Sequence, residues 1–174
     1  RREADIAVRI AAEAPGNLLG RKHAEVFYAI YGSRDLVSRT GIDAGYGDYP
    51  WLSWDLRIGR ATDRYLEEEV EGSSIVMRGD KMQVMVDALR ASIGITIIPC
   101  MVGDRIPDLC RIGSYFRGGN HLWVLTHAEL RGTARVQAFT AFVRDLIRRD
   151  RDLIEGRRPA GGPPDQPSAS ASST

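Results

Sequence analysis

A chain of 174 residues with 43% hydrophobic residues is long enough to bury a core as one domain or two small lobes. Its 24 basic and 23 acidic side chains nearly cancel, which excludes a global field that would draw in nucleic acid or an anionic membrane. The apolar run around Ile93 to Val102 is broken by Gly94 and Pro99 and is too short to span a bilayer.

Ala4 to Val8 (ADIAV) reads as a strand beginning almost at the first residue. A parallel neighbour would need a crossover of a dozen residues before it, so the chain is expected to be the later part of a longer fold. It opens with neither Met nor an apolar signal stretch, and a cytoplasmic location is expected. Pro15-Gly16-Asn17 is a turn. Glu25 to Tyr31 (EVFYAIY) is a second strand, and Ser33 suits the N-cap of a short helix, Arg34 to Arg39. Gly41 to Pro50 is loop. Its glycines open no apolar-periodic helix, so a phosphate cradle is not supported.

Trp51 to Trp54 (WLSW) is a short strand, followed by a polar loop and a helix from Thr62 to Glu71. The acidic run Glu67 to Glu69 is read as a solvated face. The stretch Ser74 to Pro99 then gives strand, loop, helix, turn and strand. Met82, Met85, Val86, Leu89 and Ile93 share one helical face. Asp80 is the expected N-cap, and Gly94 the expected left-handed helix end. Ile95 to Ile98 is a buried strand of the kind found in parallel sheets, stopped by Pro99. The fold class is therefore α/β.

Leu109 to Ile112 is strand-like, Arg117-Gly118-Gly119-Asn120 a turn, and His121 to Thr126 (HLWVLT) a third strand. A long helix covers Thr133 to about Arg149. Residues 150–174 are expected to form a disordered tail, with almost nothing apolar from Gly156 onward.

Chemistry is sparse. His23, His121 and His127 have no metal-ligand spacing, and Cys100 and Cys110 read as idle thiols in a reducing compartment. No GxSxG elbow is present. The arginines at 144, 148, 149, 151, 157 and 158 are interleaved with Asp145, Asp150, Asp152 and Glu155, which suits a salt-bridged helix better than a nucleic-acid patch. No cofactor, metal site or enzyme activity is expected.

The order of segments does carry a resemblance. ADIAVR, EVFYAIYGSRDLVSRTG, PWLSWD, VMRGDKMQVMVDALRASIGITIIP, DLCRI and HLWVLTH…LRGTARVQAFTAFVRDLI resemble the effector-binding domain of LysR-type transcriptional regulators. The family pattern runs "eaDiaiR", "pw..w", a helix leading into "aGlGia.lP", and "LWl.tH..lR.taRVraf.dFl". It covers about Glu3 to Ile147. Ser92 stands where the family usually has Gly, and Asp80 where Asn is common.

The resemblance implies a fold like type 2 periplasmic binding proteins: two lobes joined by two crossover strands, with a small-molecule effector between them and no catalysis. The domain would be 1–149. Lobe I, incomplete, would come from 1–32 and 121–149, and lobe II from 33–117. Glu25 to Tyr31 and His121 to Thr126 would be the crossovers. Family members form homodimers or tetramers and bind DNA through a winged helix-turn-helix, which this sequence lacks.

In open α/β sheets, ligands sit beyond the carboxyl ends of strands. That nominates Arg9 after the first strand; Ser53, Trp54 and Asp55 after the PWLSW strand; and Arg78, Gly79 and Asp80 before the central helix. Two arginines and a tryptophan at one rim point to an organic acid. Trp54 as core and Asp80 as a simple cap are the plainer alternatives. Two other readings stay open: a solute-binding protein of a transport system, and an enzyme on a related two-lobed scaffold.

Overall fold

The computed structural model describes residues 4–14, 18–41, 44–55, 65, 70 and 74–157. The turn at 15–17, most of the helix placed at 62–71 and the tail beyond 157 lie outside these residues.

Two long antiparallel strands are the frame. β2 (Leu19–Ser33) and β6 (Leu109–Thr126) run side by side from Leu19↔Thr126 to Ser33↔Leu109. β1 (Ile6–Ala11) pairs antiparallel with the far end of β6, and β5 (Thr96–Pro99) with the near end of β2, giving the order β1-β6-β2-β5. β3 (Pro50–Trp54) and β4 (Ser74–Gly79) form a parallel pair. Trp51 bridges Ile95 in parallel, which attaches this pair beside β5.

Six expectations change here. The first strand extends through Arg9, Ile10 and Ala11, because β6 offers them partners down to His121. Its neighbour comes from later in the chain, not from an earlier crossover. RGGN is no turn. Gly118 lets β6 pass over Tyr28, whose ring a Cβ would meet at 2.5 Å. The crossovers therefore span 15 and 18 residues, well beyond the two apolar runs read from sequence. The buried strand β5 is not in an all-parallel setting, since its other neighbour β2 is antiparallel. The tail does not start at 150: Arg151–Ile154 forms a helical turn with Ile154 buried.

Helices cover both ends. α1 (Arg34–Thr40) starts at Ser33, whose hydroxyl accepts the Leu36 amide at 3.0 Å. α2 (Met82–Arg90) buries Met85, Val86, Ala88 and Leu89. Its cap differs from expectation: the N-cap is Lys81, with no side-chain bond, and Asp80 lies exposed one residue earlier. The left-handed residue that follows is Ser92, at φ 59°, and not Gly94. That turn takes Ile93 off the helical face, leaving it 44% exposed. Gly94 is required for a different reason. A Cβ there would lie 2.6 Å from the Pro50 carbonyl oxygen, where β3 and the β5 approach exchange backbone bonds. α3 (Cys100–Gly103) follows β5; α4 (Ala134–Arg149) and α5 (Arg151–Ile154) close the chain.

The core divides with the frame. Ala24, Val26, Leu122 and Val124 pack with Val143, Ile147 and Ile154 at one end. At the other, Tyr31, Leu52, Trp54, Met85, Leu89 and Ile98 form one cluster and Ile30, Leu36, Tyr49, Trp51, Val70 and Ile95 a second.

Candidate functional site

The carboxyl ends of β3, β4 and β5 all point toward the middle of β2. Trp54 Nε1 donates to the Ile97 carbonyl at 3.1 Å, and Pro99 lies opposite Tyr28. From the other side, β1 runs inward to Ala11, opposite His121, which faces Glu25. Only the stretch from Glu25 to Tyr28 separates these two sets of strand ends along β2, about 10 Å at strand rise.

Six of the seven nominated residues gather on the β3–β4–α2 side. Ser53 pairs with Arg78 and Trp54 with Gly79 in the parallel ladder, and the Asp55 amide bonds the Gly79 carbonyl at 2.9 Å. Arg78 donates to the Ser53 hydroxyl at 3.2 Å. This is what parallel pairing does: it brings corresponding strand ends, and the loops beyond them, to one rim. Asp80 follows on the same loop, and α2 starts at Met82, so the amides of its first turn open at this rim. Those amides and the Arg78 guanidinium together suit a carboxylate.

Two of the six are partly structural. Ser53 is fully buried and Trp54 is 9% exposed. The indole packs in the cluster of Tyr31, Leu52, Met85 and Ile98, so its polar edge is already engaged. The exposed chemistry at this rim is that of Arg78 and Asp80.

Arg9 is not brought to the others. It lies within β1 opposite Trp123 and is exposed, and β6, β2 and β5 stand between β1 and the β3–β4 pair. Arg9, placed beyond the end of the strand from sequence, is thus two positions from the inner end of β1 in the fold, with three strands between it and the β3–β4 pair.

The structure adds residues that sequence spacing did not single out. His121 sits level with the inner end of β1, and its Nδ1 is buried without a hydrogen-bond partner among the described residues; Thr96 Oγ1 is in the same condition. Unpaired buried polar atoms are uncommon and costly. Toward the second end of the frame, Tyr31 donates to Asp104 at 2.7 Å, and Arg111 donates to Asp104 at 2.9 Å, to Tyr31 at 3.2 Å and to the Gly156 carbonyl at 2.9 Å. Burial, reinforced by the neighbouring Cys100 and Asp104, pushes the Tyr31 phenol far up. Burial opposes the Arg111 charge, but Asp104 and Tyr31 outweigh it and hold the guanidinium firmly protonated. Burial also raises the Cys100 thiol, which marks it as an inert thiol. Tyr31, Asp104 and Arg111 lie 7 to 80 positions apart, and no local pattern links them.

Among the described residues no group of three His, Cys, Asp or Glu side chains is placed to hold a metal, and no helix is long and apolar enough to cross a membrane.

No family model and no curated protein matches the chain. Solved structures do. The effector domain of the transcriptional regulator AmpR of Pseudomonas aeruginosa is 14% identical, with a TM-score of 0.67 over 88% of this chain and 74% of that one. The regulatory domain of CrgA, a LysR-type transcriptional regulator from Neisseria meningitidis, is 12% identical, with a TM-score of 0.66 over 83% and 76%. The regulatory domain of AphB in Vibrio vulnificus is 20% identical, with a TM-score of 0.55 over 81% and 75%. At these identities the likeness is one of fold. The chain has the mixed α/β architecture of LysR-type effector-binding domains, which is of the type 2 periplasmic-binding-protein kind.

Proposed function

With the fold of these regulator domains as premise, we propose that the chain is the effector-sensing domain of a LysR-type transcriptional regulator. It would bind a small organic acid between two lobes, the first from 1–32 and 121–149, the second from 33–117. The reading rests on one observation above all: the ends of β3 and β4 and the start of α2 open at a single rim, facing the inner end of β1 across the middle of the crossover strands. Arg78, held by Ser53, would take the carboxylate with the first amides of α2. Gly79 would keep room for Met85, whose sulfur a Cβ would meet at 2.8 Å, and Asp55 and Asp80 would select against excess negative charge. Ligand would then favour a closed arrangement of the lobes and shift the population toward it.

As a family property the domain would act in the cytoplasm as a homodimer or tetramer. A transport-type binding protein shares the fold but would work as an exported receptor. Nothing in the site favours it, nor an enzyme, for which no nucleophile and base converge at the rim among the described residues.

Calorimetry against a panel of organic acids tests the proposal. Arg78→Ala should weaken the bound acid at least tenfold, the order of one charge-assisted contact, and Arg9→Ala should leave it nearly unchanged. Binding indifferent to Arg78→Ala would remove the site.

A further inference from the structure

On the helical side of the first half, α4 does not lie flush on the sheet. A cavity of about 560 Å³ opens between α4, the start of β2 and the end of β6, within the range of small-molecule sites. Its polar lining includes Arg21, His23, Arg131, Gln137, Thr140 and Arg144. Register explains the convergence. Arg21 pairs with Val124, which packs under α4, so both side chains face the helix. His23 is the extra residue where the β2–β6 register slips between Lys22 and Ala24, and such bulges re-aim side chains.

Three arginines converge here without a close carboxylate, whereas several arginines elsewhere are tightly paired. Arg39, Arg90, Arg105, Arg135 and Arg157 each reach an aspartate within 3.1 Å. Among the described residues Arg21 and Arg131 have no carboxylate partner, and Arg144 reaches only its neighbour Asp145, at 3.6 Å. Burial and the charges of Arg144 and Arg21 lower the His23 imidazole, as expected where positive charges crowd one space. Half-exposed Leu19 and partly exposed Ala141 supply the accessible apolar lining, with Val124 buried beneath them.

We propose that this cavity is a second ligand site, separate from the β3–β4 rim, that takes a small organic dianion with an apolar body. The guanidinium groups of Arg21, Arg131 and Arg144 meet its acidic groups, Gln137 and Thr140 orient them, and the apolar wall of Leu19 and Ala141 receives the body.

Nuclear magnetic resonance on the labelled 174-residue chain tests it, with phthalate as the dianion, inorganic phosphate as charge without a body, and benzyl alcohol as body without charge. Phthalate is expected to shift the His23 ring and Thr140 amide signals saturably, at least tenfold more tightly than either other probe. Arg21→Gln combined with Arg144→Gln should weaken phthalate at least tenfold with the urea midpoint retained, while Arg78→Ala leaves its affinity unchanged. The assignment is overturned by an absence of saturable shifts at His23, by unchanged affinity in the double variant, or by phosphate binding as tightly as phthalate. Shifts that vanish in Arg78→Ala would return the ligand to the rim and overturn it as well.

Discussion

Asp104→Ala tests whether the Tyr31–Asp104–Arg111 cluster is held by charge. The Asp104 side chain is 2% exposed and that of Arg111 14%. Deleting the carboxylate leaves a largely buried guanidinium with the Tyr31 hydroxyl and the Gly156 carbonyl as its remaining hydrogen-bond partners among the described residues. Breaking a buried pair from one side costs roughly 3–5 kcal/mol, and the two surviving contacts favour the lower end. For a chain of this size each kcal/mol moves Tm by about 2–4 °C, so the expected drop is roughly 6–12 °C at ~3 kcal/mol. Urea unfolding and circular dichroism read both values. The partner experiment removes both charges. Asp104→Leu with Arg111→Met leaves no orphan charge, and should be more stable than Asp104→Ala alone. A single-variant loss below about 1 kcal/mol, or a double variant as poor as the sum of its parts, would refute the reasoning.

Three further expectations concern the frame. Gly94→Ala should cost about 1–3 kcal/mol, since the new methyl would press on the Pro50 carbonyl, a backbone atom that cannot swing aside; urea midpoints check it. Ser92→Gly should be more stable than Ser92→Ala by roughly 1–2 kcal/mol, because both lose the hydroxyl bonds to Ser33 and Asp35 but only glycine relieves the left-handed strain. His23 has a folded-state pKa below its ordinary value of 6.5, so the unfolded chain binds the proton more readily. Stability should fall as pH drops from about 7 through the lowered value and then level off. His23→Gln should flatten that slope in thermal melts, and an unchanged slope would assign the acid sensitivity elsewhere.

Local chemistry made part of this fold readable. The apolar period of α2, the Ser33 cap and the β-branched run at β5 each report on their own neighbourhood, and each lies where the sequence puts it. Pairing over distance did not report itself. Arg117-Gly118-Gly119-Asn120 has turn chemistry, yet Gly118 serves close passage over Tyr28 inside one strand. The same blindness misplaced Arg9, because the end of β1 is decided by β6 and not by its own residues. Ser53, Trp54, Asp55, Arg78, Gly79 and Asp80 came together because β3 and β4 pair in parallel, an arrangement the strand ends allowed one to anticipate. Asp80 as a cap failed, since the helix begins one residue later than the carboxylate can serve. The Tyr31–Asp104–Arg111 cluster and the unpaired His121 Nδ1 depend wholly on tertiary contact.

Titrating an organic acid into the labelled chain while following backbone amides tests the central claim most directly. Binding between the halves predicts concerted shifts at residues 53–55 and 78–84 together with Ala11 and His121, all saturating at one affinity and all lost in Arg78→Ala. Shifts at only one of these two groups, or no acid that moves either, would contradict it.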